Sequence, residues 1–178
     1  MSIYDKLEKK IISHSAKVGI IGLGYVGLPL CLALCNSGYS TVGFDIDESK
    51  ASNILHGKSY IKTIGSEIIT KALKTGNLDA TFDMSRLKDM DAILICVPTP
   101  IDEYLAPNLS YVIDTCKMIF KYLKKGQLII LESTTYPGTT SDVVLPILES
   151  GGLKVGQDFF LAYSPEREDP GNINFSTT

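Results

Sequence analysis

A chain of 178 residues, 44% hydrophobic and 21% charged, is long enough for one domain with a substantial core. A formal net charge of −3 and a pI near 5.4 exclude the basic footprint of a nucleic-acid binder. Four cysteines, Cys31, Cys35, Cys96 and Cys116, show no C-x-x-C spacing and define no disulfide framework; buried packing is their expected fate, and with His14 and His56 lacking suggestive neighbours no metal site is expected.

The opening "MSIYDKLEKKIISHS" is amphipathic and of mixed charge. It has no apolar h-region, so it is not a secretory signal, and the expected compartment is a reducing cytoplasm. Strand and helix patterns then alternate. "KVGII" (17–21), "TVGFD" (41–45), "DAILICV" (91–97), "QLIILES" (127–133) and "FFLAYS" (159–164) read as strands, and "NLDAT" (77–81) as a weaker one. Helices are expected at 25–36, 48–56, 66–75, 108–125 and 139–150. Asn108 or Ser110 can cap the fourth, Gly126 fits its C′ position, and the basic run from Lys117 to Gly126 places cations where the helix dipole favours them. No repeat, low-complexity tract or linker interrupts residues 1–178, which read as one domain. Strands that are apolar throughout and alternate with helices imply a parallel α/β sheet covered on both faces. The expected architecture is a doubly wound Rossmann sheet, order 3-2-1-4-5-6, with its ligand beyond the carboxyl ends of the strands.

From Val18 to Phe44 there is no charged side chain, a run long enough to span a bilayer. Its glycine spacing points elsewhere. Gly22-Leu23-Gly24-Tyr25-Val26-Gly27 matches G-x-G-x-x-G, follows a strand, opens a helix, and is followed by a second strand ending in Asp45, 23 residues beyond Gly22. Gly22 permits the tight turn, Gly24 admits a pyrophosphate to the backbone, and Gly27 allows close helix packing. The free N–H groups near Tyr25 and Val26 face the phosphates with the helix dipole behind them. Asp45 would accept hydrogen bonds from the adenosine ribose and repel a 2′-phosphate, which favours NAD over NADP.

Three further stretches follow strand ends: "ICVPTP" (95–100), "LESTTYPGTT" (131–140) and "YSPEREDPGN" (163–172). Together with "GLGYVGLPL" they resemble the UDP-glucose/GDP-mannose dehydrogenase family from Lys17 onward. "SPEREDPGN" is most similar to its UDP-N-acetylglucosamine 6-dehydrogenase branch; the UDP-glucose branch typically carries a "PEFL"-like sequence there. The resemblance implies oxidation of a nucleotide-sugar C6 hydroxyl to the carboxylate with two NAD⁺ in succession, in the service of a surface polysaccharide. It implies cofactor contacts at Val26, Asp45, Lys50 and Thr99, the last beside Pro98 in "VPTP". It also implies that Thr134, next to Ser133, lies near the nicotinamide and holds a catalytic water, and that Glu166 takes part in proton transfer and thioester hydrolysis. Ser133 and Thr135 can equally act as strand-end caps, and Glu132 stays unassigned.

One departure stands out. The UDP-glucose branch has a second cofactor-contacting acid four residues after the first, where this chain has Pro170 preceded by Glu168 and Asp169. The family's nucleophilic cysteine sits in a Gly-rich "G-x-C-x-P-x-D"-like motif, and none of the four cysteines does. The expectation is the amino-terminal cofactor domain of a longer, homo-oligomeric enzyme. It would bind NAD⁺ and remain inactive alone, because the central helix and the sugar-nucleotide domain that take most of the UDP-sugar contacts would lie beyond Thr178. The exact sugar stays open, with UDP-glucose and UDP-N-acetylmannosamine as alternatives. A β-hydroxyacid dehydrogenase shares the Gly-rich opening but not the three later motifs in order. A non-catalytic NAD-sensing module has no need of the Thr134/Glu166 pair.

Overall fold

The computed structural model describes residues 1–101 and 107–165. Its strands are β1 (Lys17–Ile21), β2 (Ser40–Phe44), β3 (Leu78–Thr81), β4 (Ala92–Ile95), β5 (Leu128–Leu131) and β6 (Phe160–Tyr163). They form one sheet in the order β3-β2-β1-β4-β5-β6, every neighbouring pair parallel. This is the doubly wound order that the alternating pattern predicts.

The strands bury side chains on both faces because successive residues point to opposite sides. Val18 and Ile20 of β1 and Ala92 and Leu94 of β4 pack into one core. That core is shared with α2 (Gly27–Asn36), α3 (Glu48–Leu55) and α4 (Ser66–Lys74). Ile21, Ile93 and Ile95 face the other core, with α5 (Ser110–Tyr122) and α6 (Leu145–Glu149). The apolar run from Val18 to Phe44 is therefore a strand, a turn, a helix and a second strand in a buried centre. No helix among the described residues is long and apolar enough to cross a membrane.

Several boundaries differ from those the sequence suggests. The helix expected at 25 starts at Gly27, because Tyr25 and Val26 form the turn that precedes it. Helix α5 ends at Tyr122, so Gly126 is not its C′ residue but part of the turn into β5, where its N–H donates to the Asp158 carbonyl at 2.6 Å. The residue entering α5 is Leu109, which makes no side-chain cap; Asn108 Oδ1 instead accepts the Ser110 N–H at 2.9 Å. The single helix expected over 139–150 is a π-helical turn, Thr139–Val144, followed by α6. Pro146 in the first turn of α6 has no N–H to donate back to the preceding turn, which breaks the regular ladder.

The amphipathic opening folds as α1 (Ile3–Ile12), begun by a capping box in which Ser2 Oγ accepts the Asp5 N–H and Asp5 accepts the Ser2 N–H. It crosses beneath the amino ends of the strands. Tyr4 meets Phe160 of β6 edge to face, Lys10 pairs with Asp91 just before β4 at 2.6 Å, and the Ile11 carbonyl accepts the Tyr39 hydroxyl just before β2.

All four thiols are buried. Burial pushes the Cys31 thiol up, helped by neighbouring Cys35, and raises Cys116 to about 12. The neutral thiol is thus the form the fold favours. That contribution is fully present below the ordinary thiol value and is lost as the pH rises from there through the folded value. The urea midpoint should therefore fall as the pH is raised above about 9, and native protein should resist a thiol reagent that modifies the unfolded chain at all four sites. A midpoint that stays flat through that range would contradict the burial.

Candidate functional site

The carboxyl ends of β1, β2, β4 and β5 frame a cleft of about 700 Å³, the size of a small-molecule site. Its first wall is the turn between β1 and α2. Gly22 has φ +97, and a Cβ there would lie 2.5 Å from the Cys96 carbonyl oxygen beside the end of β4. A Cβ on Gly27 would fall inside the Gly22 carbonyl, so the helix starts directly against the turn. Gly24 differs from both, since a Cβ there would meet nothing within 4 Å and would point into open space. Gly22, Gly24, Tyr25 and Val26 line the cleft, while Gly27 is buried behind them. The Leu28 N–H is taken by the Gly24 carbonyl at 3.1 Å and Pro29 has none, so among the described residues the donors left for a ligand include the N–H groups of Tyr25 and Val26 in the turn just before α2.

Asp45 follows β2 and is 5% exposed. Its Oδ2 accepts the Leu23 N–H and the Lys50 ammonium, each at 2.9 Å, and its Oδ1 accepts the Asp47 N–H at 2.9 Å. The carboxylate therefore fixes the phosphate turn from below. With one bond at Oδ1 among the described residues, it retains acceptor capacity for a hydroxyl. Asp47 Oδ1 accepts the Ser49 N–H and hydroxyl and caps α3, which carries Lys50 back toward Asp45. These bonds from Ser49 hold the Asp47 carboxyl below its usual range.

The opposite wall comes from the β4 and β5 ends. The Thr99 hydroxyl donates to the Thr134 carbonyl at 2.7 Å. The Ser133 hydroxyl donates to the Val97 carbonyl at 2.8 Å, with the Ile95 carbonyl at 3.2 Å. Ser133 thus braces the two loops against each other, the cap-like role open to it from the sequence. Pro98, Thr99, Ser133, Thr134 and Glu132 all face the cleft, and α5 adds Tyr111 and Met118. Cys96 lies just past β4 on the same wall. Glu166, with Glu168, Asp169 and Pro170, lies outside the described residues.

Tyr60, outside the cleft lining, supports the turn of the site and was missed by the sequence reading. Its hydroxyl donates to the Leu23 carbonyl at 2.7 Å. Burial, and then the charge of Asp45, raises its pKa, so it remains a donor at neutral pH. Leu23 is consequently clamped on its N–H by Asp45 and on its carbonyl by Tyr60. Nothing in local spacing marks this residue; only the fold brings it to the turn.

A positive-φ glycine, an open glycine, a helix start and a tethered acid at a strand-order switch point define a dinucleotide-binding domain. The profile of the UDP-glucose/GDP-mannose dehydrogenase family, NAD binding domain, matches residues 16–178. The chain belongs to that family, and its cofactor is NAD. It is 38% identical over 157 residues to UDP-N-acetyl-D-glucosamine 6-dehydrogenase of Pseudomonas aeruginosa, covering 88% of this chain and 36% of the relative. It is 36% identical over 162 residues to UDP-N-acetyl-D-mannosamine dehydrogenase of Pyrococcus horikoshii, covering 88% and 38%. Among solved structures, NDP-N-acetyl-D-galactosaminuronic acid dehydrogenase of Methanosarcina mazei superposes with a TM-score of 0.81 at 36% identity, covering 95% of this chain and 38% of that one. The chain thus spans little more than a third of the length of these relatives.

Proposed function

We propose that this domain serves a UDP-sugar 6-dehydrogenase that oxidises a C6 hydroxyl to the carboxylate with two NAD⁺, UDP-N-acetylglucosamine being the leading substrate. The cleft carries the reading, since its acid, its open glycine and its helix start suit NAD. The substrate rests on the "SPEREDPGN" motif and on the activity named for the Pseudomonas relative. UDP-N-acetylmannosamine is the second candidate, on the name of the Pyrococcus relative.

Bound NAD supplies the hydride acceptor. In this reading Asp45 and Lys50 hold the adenosine ribose, and the N–H groups at Tyr25 and Val26 take the pyrophosphate. Pro98 and Thr99 shape the far wall, with Ser133 bracing it. Thr134 holds the water that hydrolysis consumes, and Glu166 handles protons. The four buried free thiols suit a reducing cytoplasm.

Calorimetric titration of the 178-residue chain with NAD⁺ and with NADP⁺ tests the cradle. NAD⁺ should bind at least about tenfold more tightly, because Asp45 repels a 2′-phosphate. Equal affinity for both would remove Asp45 from the ribose site. NADH formation should then be followed in a polypeptide that joins this domain to a sugar-nucleotide domain. The faster of UDP-N-acetylglucosamine and UDP-N-acetylmannosamine identifies the sugar, and turnover of neither would overturn the assignment.

A further inference from the structure

A second cleft, of about 460 Å³, lies at the other end of the sheet, beneath the amino ends of the strands. Six lysines line it: Lys6 and Lys10 from α1, Lys17 at the start of β1, Lys88 before β4, and Lys124 and Lys125 before β5. The only carboxylates among its lining residues are Asp89 and Asp91. The chain as a whole has 17 Lys and Arg against 20 Asp and Glu, so cations are concentrated here against the overall balance. Lys10 is paired with Asp91, and Lys125 with Asp158 at 2.8 Å. Among the described residues, Lys6, Lys17, Lys88 and Lys124 reach no carboxylate within 4.0 Å.

Buried or paired polar groups hold the backbone segments that carry these lysines. Gln127 is 2% exposed. Its Nε2 donates to the Leu87 and Met90 carbonyls at 2.9 and 2.7 Å, and its Oε1 accepts the Lys124 N–H at 2.7 Å. One side chain therefore ties the segment carrying Lys88 to the segment carrying Lys124. Asp91 does the same on the other side, accepting the Lys17 N–H at 2.9 Å and the Lys10 ammonium. Four ammonium groups outside any close ion pair among the described residues surround this frame, and a multiply charged anion can bridge them. The cleft is too large for a single phosphate, and Ile3, Leu7 and Met90 give it an apolar side. We infer that this cleft is a binding site for a small organic polyphosphate, separate from the cofactor cleft.

Inorganic pyrophosphate is the probe, titrated into the labelled chain with backbone amide shifts as the readout. Shifts should concentrate at residues 88–91 and 124–127. The exposed double substitution Lys88→Gln with Lys124→Gln should weaken the fitted affinity by about tenfold or more, and binding should weaken further between about 50 and 200 mM salt. Shifts confined to the turn at 22–27 would mean that pyrophosphate uses the cofactor cradle alone. Either that pattern or an unchanged affinity in the double variant would overturn the inference.

Discussion

Gly27→Ala should unfold the domain about 6–12 °C lower, whereas Gly24→Ala, three residues away, should leave the melting temperature where it is and weaken NAD⁺. A methyl on Gly27 collides with the Gly22 carbonyl and presses tightly on Ile20. Both belong to a strand and turn fixed at the centre of the sheet, so neither can withdraw cheaply. A cost of about 3 kcal/mol is the expectation for forced overpacking of this kind. A methyl on Gly24 meets nothing within 4 Å, so stability should change by less than about 0.5 kcal/mol. That open space is where a pyrophosphate must approach the backbone, and NAD⁺ affinity should fall at least about tenfold. Thermal unfolding and calorimetry on the two variants separate the roles. If Gly24→Ala bound NAD⁺ as the parent does, the phosphates would not pass over this turn.

Asp45→Ala should be costly in both respects. It leaves the Leu23 N–H, the Asp47 N–H and the Lys50 ammonium without their acceptor, in a place where the carboxylate was 5% exposed. Loss of a buried, charged acceptor of several donors is expected to destabilise by about 2–4 kcal/mol. NAD⁺ affinity should fall about 10–100-fold, since the ribose partner and the brace of the phosphate turn go together. The decisive readout is the comparison with NADP⁺. A merely loosened cradle weakens both dinucleotides alike. Removal of the charge that repels a 2′-phosphate brings the two affinities together, and a preference for NAD⁺ that survived intact would place discrimination elsewhere.

The centre of the fold was legible in the sequence because its signals are local. A strand, three spaced glycines, a helix and an acid at the end of the next strand lie within residues 17–45, and each has one physical use. The sheet order is not itself local, but it followed from the alternation of apolar strands with helices and the doubly wound architecture that this alternation implies. What escaped the reading depends on contacts between distant segments. Tyr60 belongs to no motif and reaches Leu23 only because the chain between β2 and β3 folds back over the turn. Helix α1 was not among the expected helices although its opening was seen to be amphipathic, and its helical state matters through Tyr4, Lys10 and Ile11 meeting three different strand starts. The stretch at 139–150 misled because its apolar spacing continues across Pro146, while the backbone ladder does not. Thr134 and Glu166 were named together, but only Thr134 falls among the described residues.

The parallel sheet gives the molecule two chemically distinct poles. At the carboxyl pole the described residues that line the cofactor cleft include Asp45, Asp47, Asp114 and Glu132, with Lys50 as their one cation. At the amino pole six lysines face two aspartates. Among these lining residues, charge is therefore divided along the strand axis, with the carboxylates gathered at the cofactor cleft and the ammonium groups at the opposite one. Those lining carboxylates do not favour the approach of an anionic dinucleotide, so its capture relies on contacts made at short range, at the turn and at Asp45. As ionic strength falls, the two poles diverge: the field strengthens its hold on anions at one end and its resistance to them at the other.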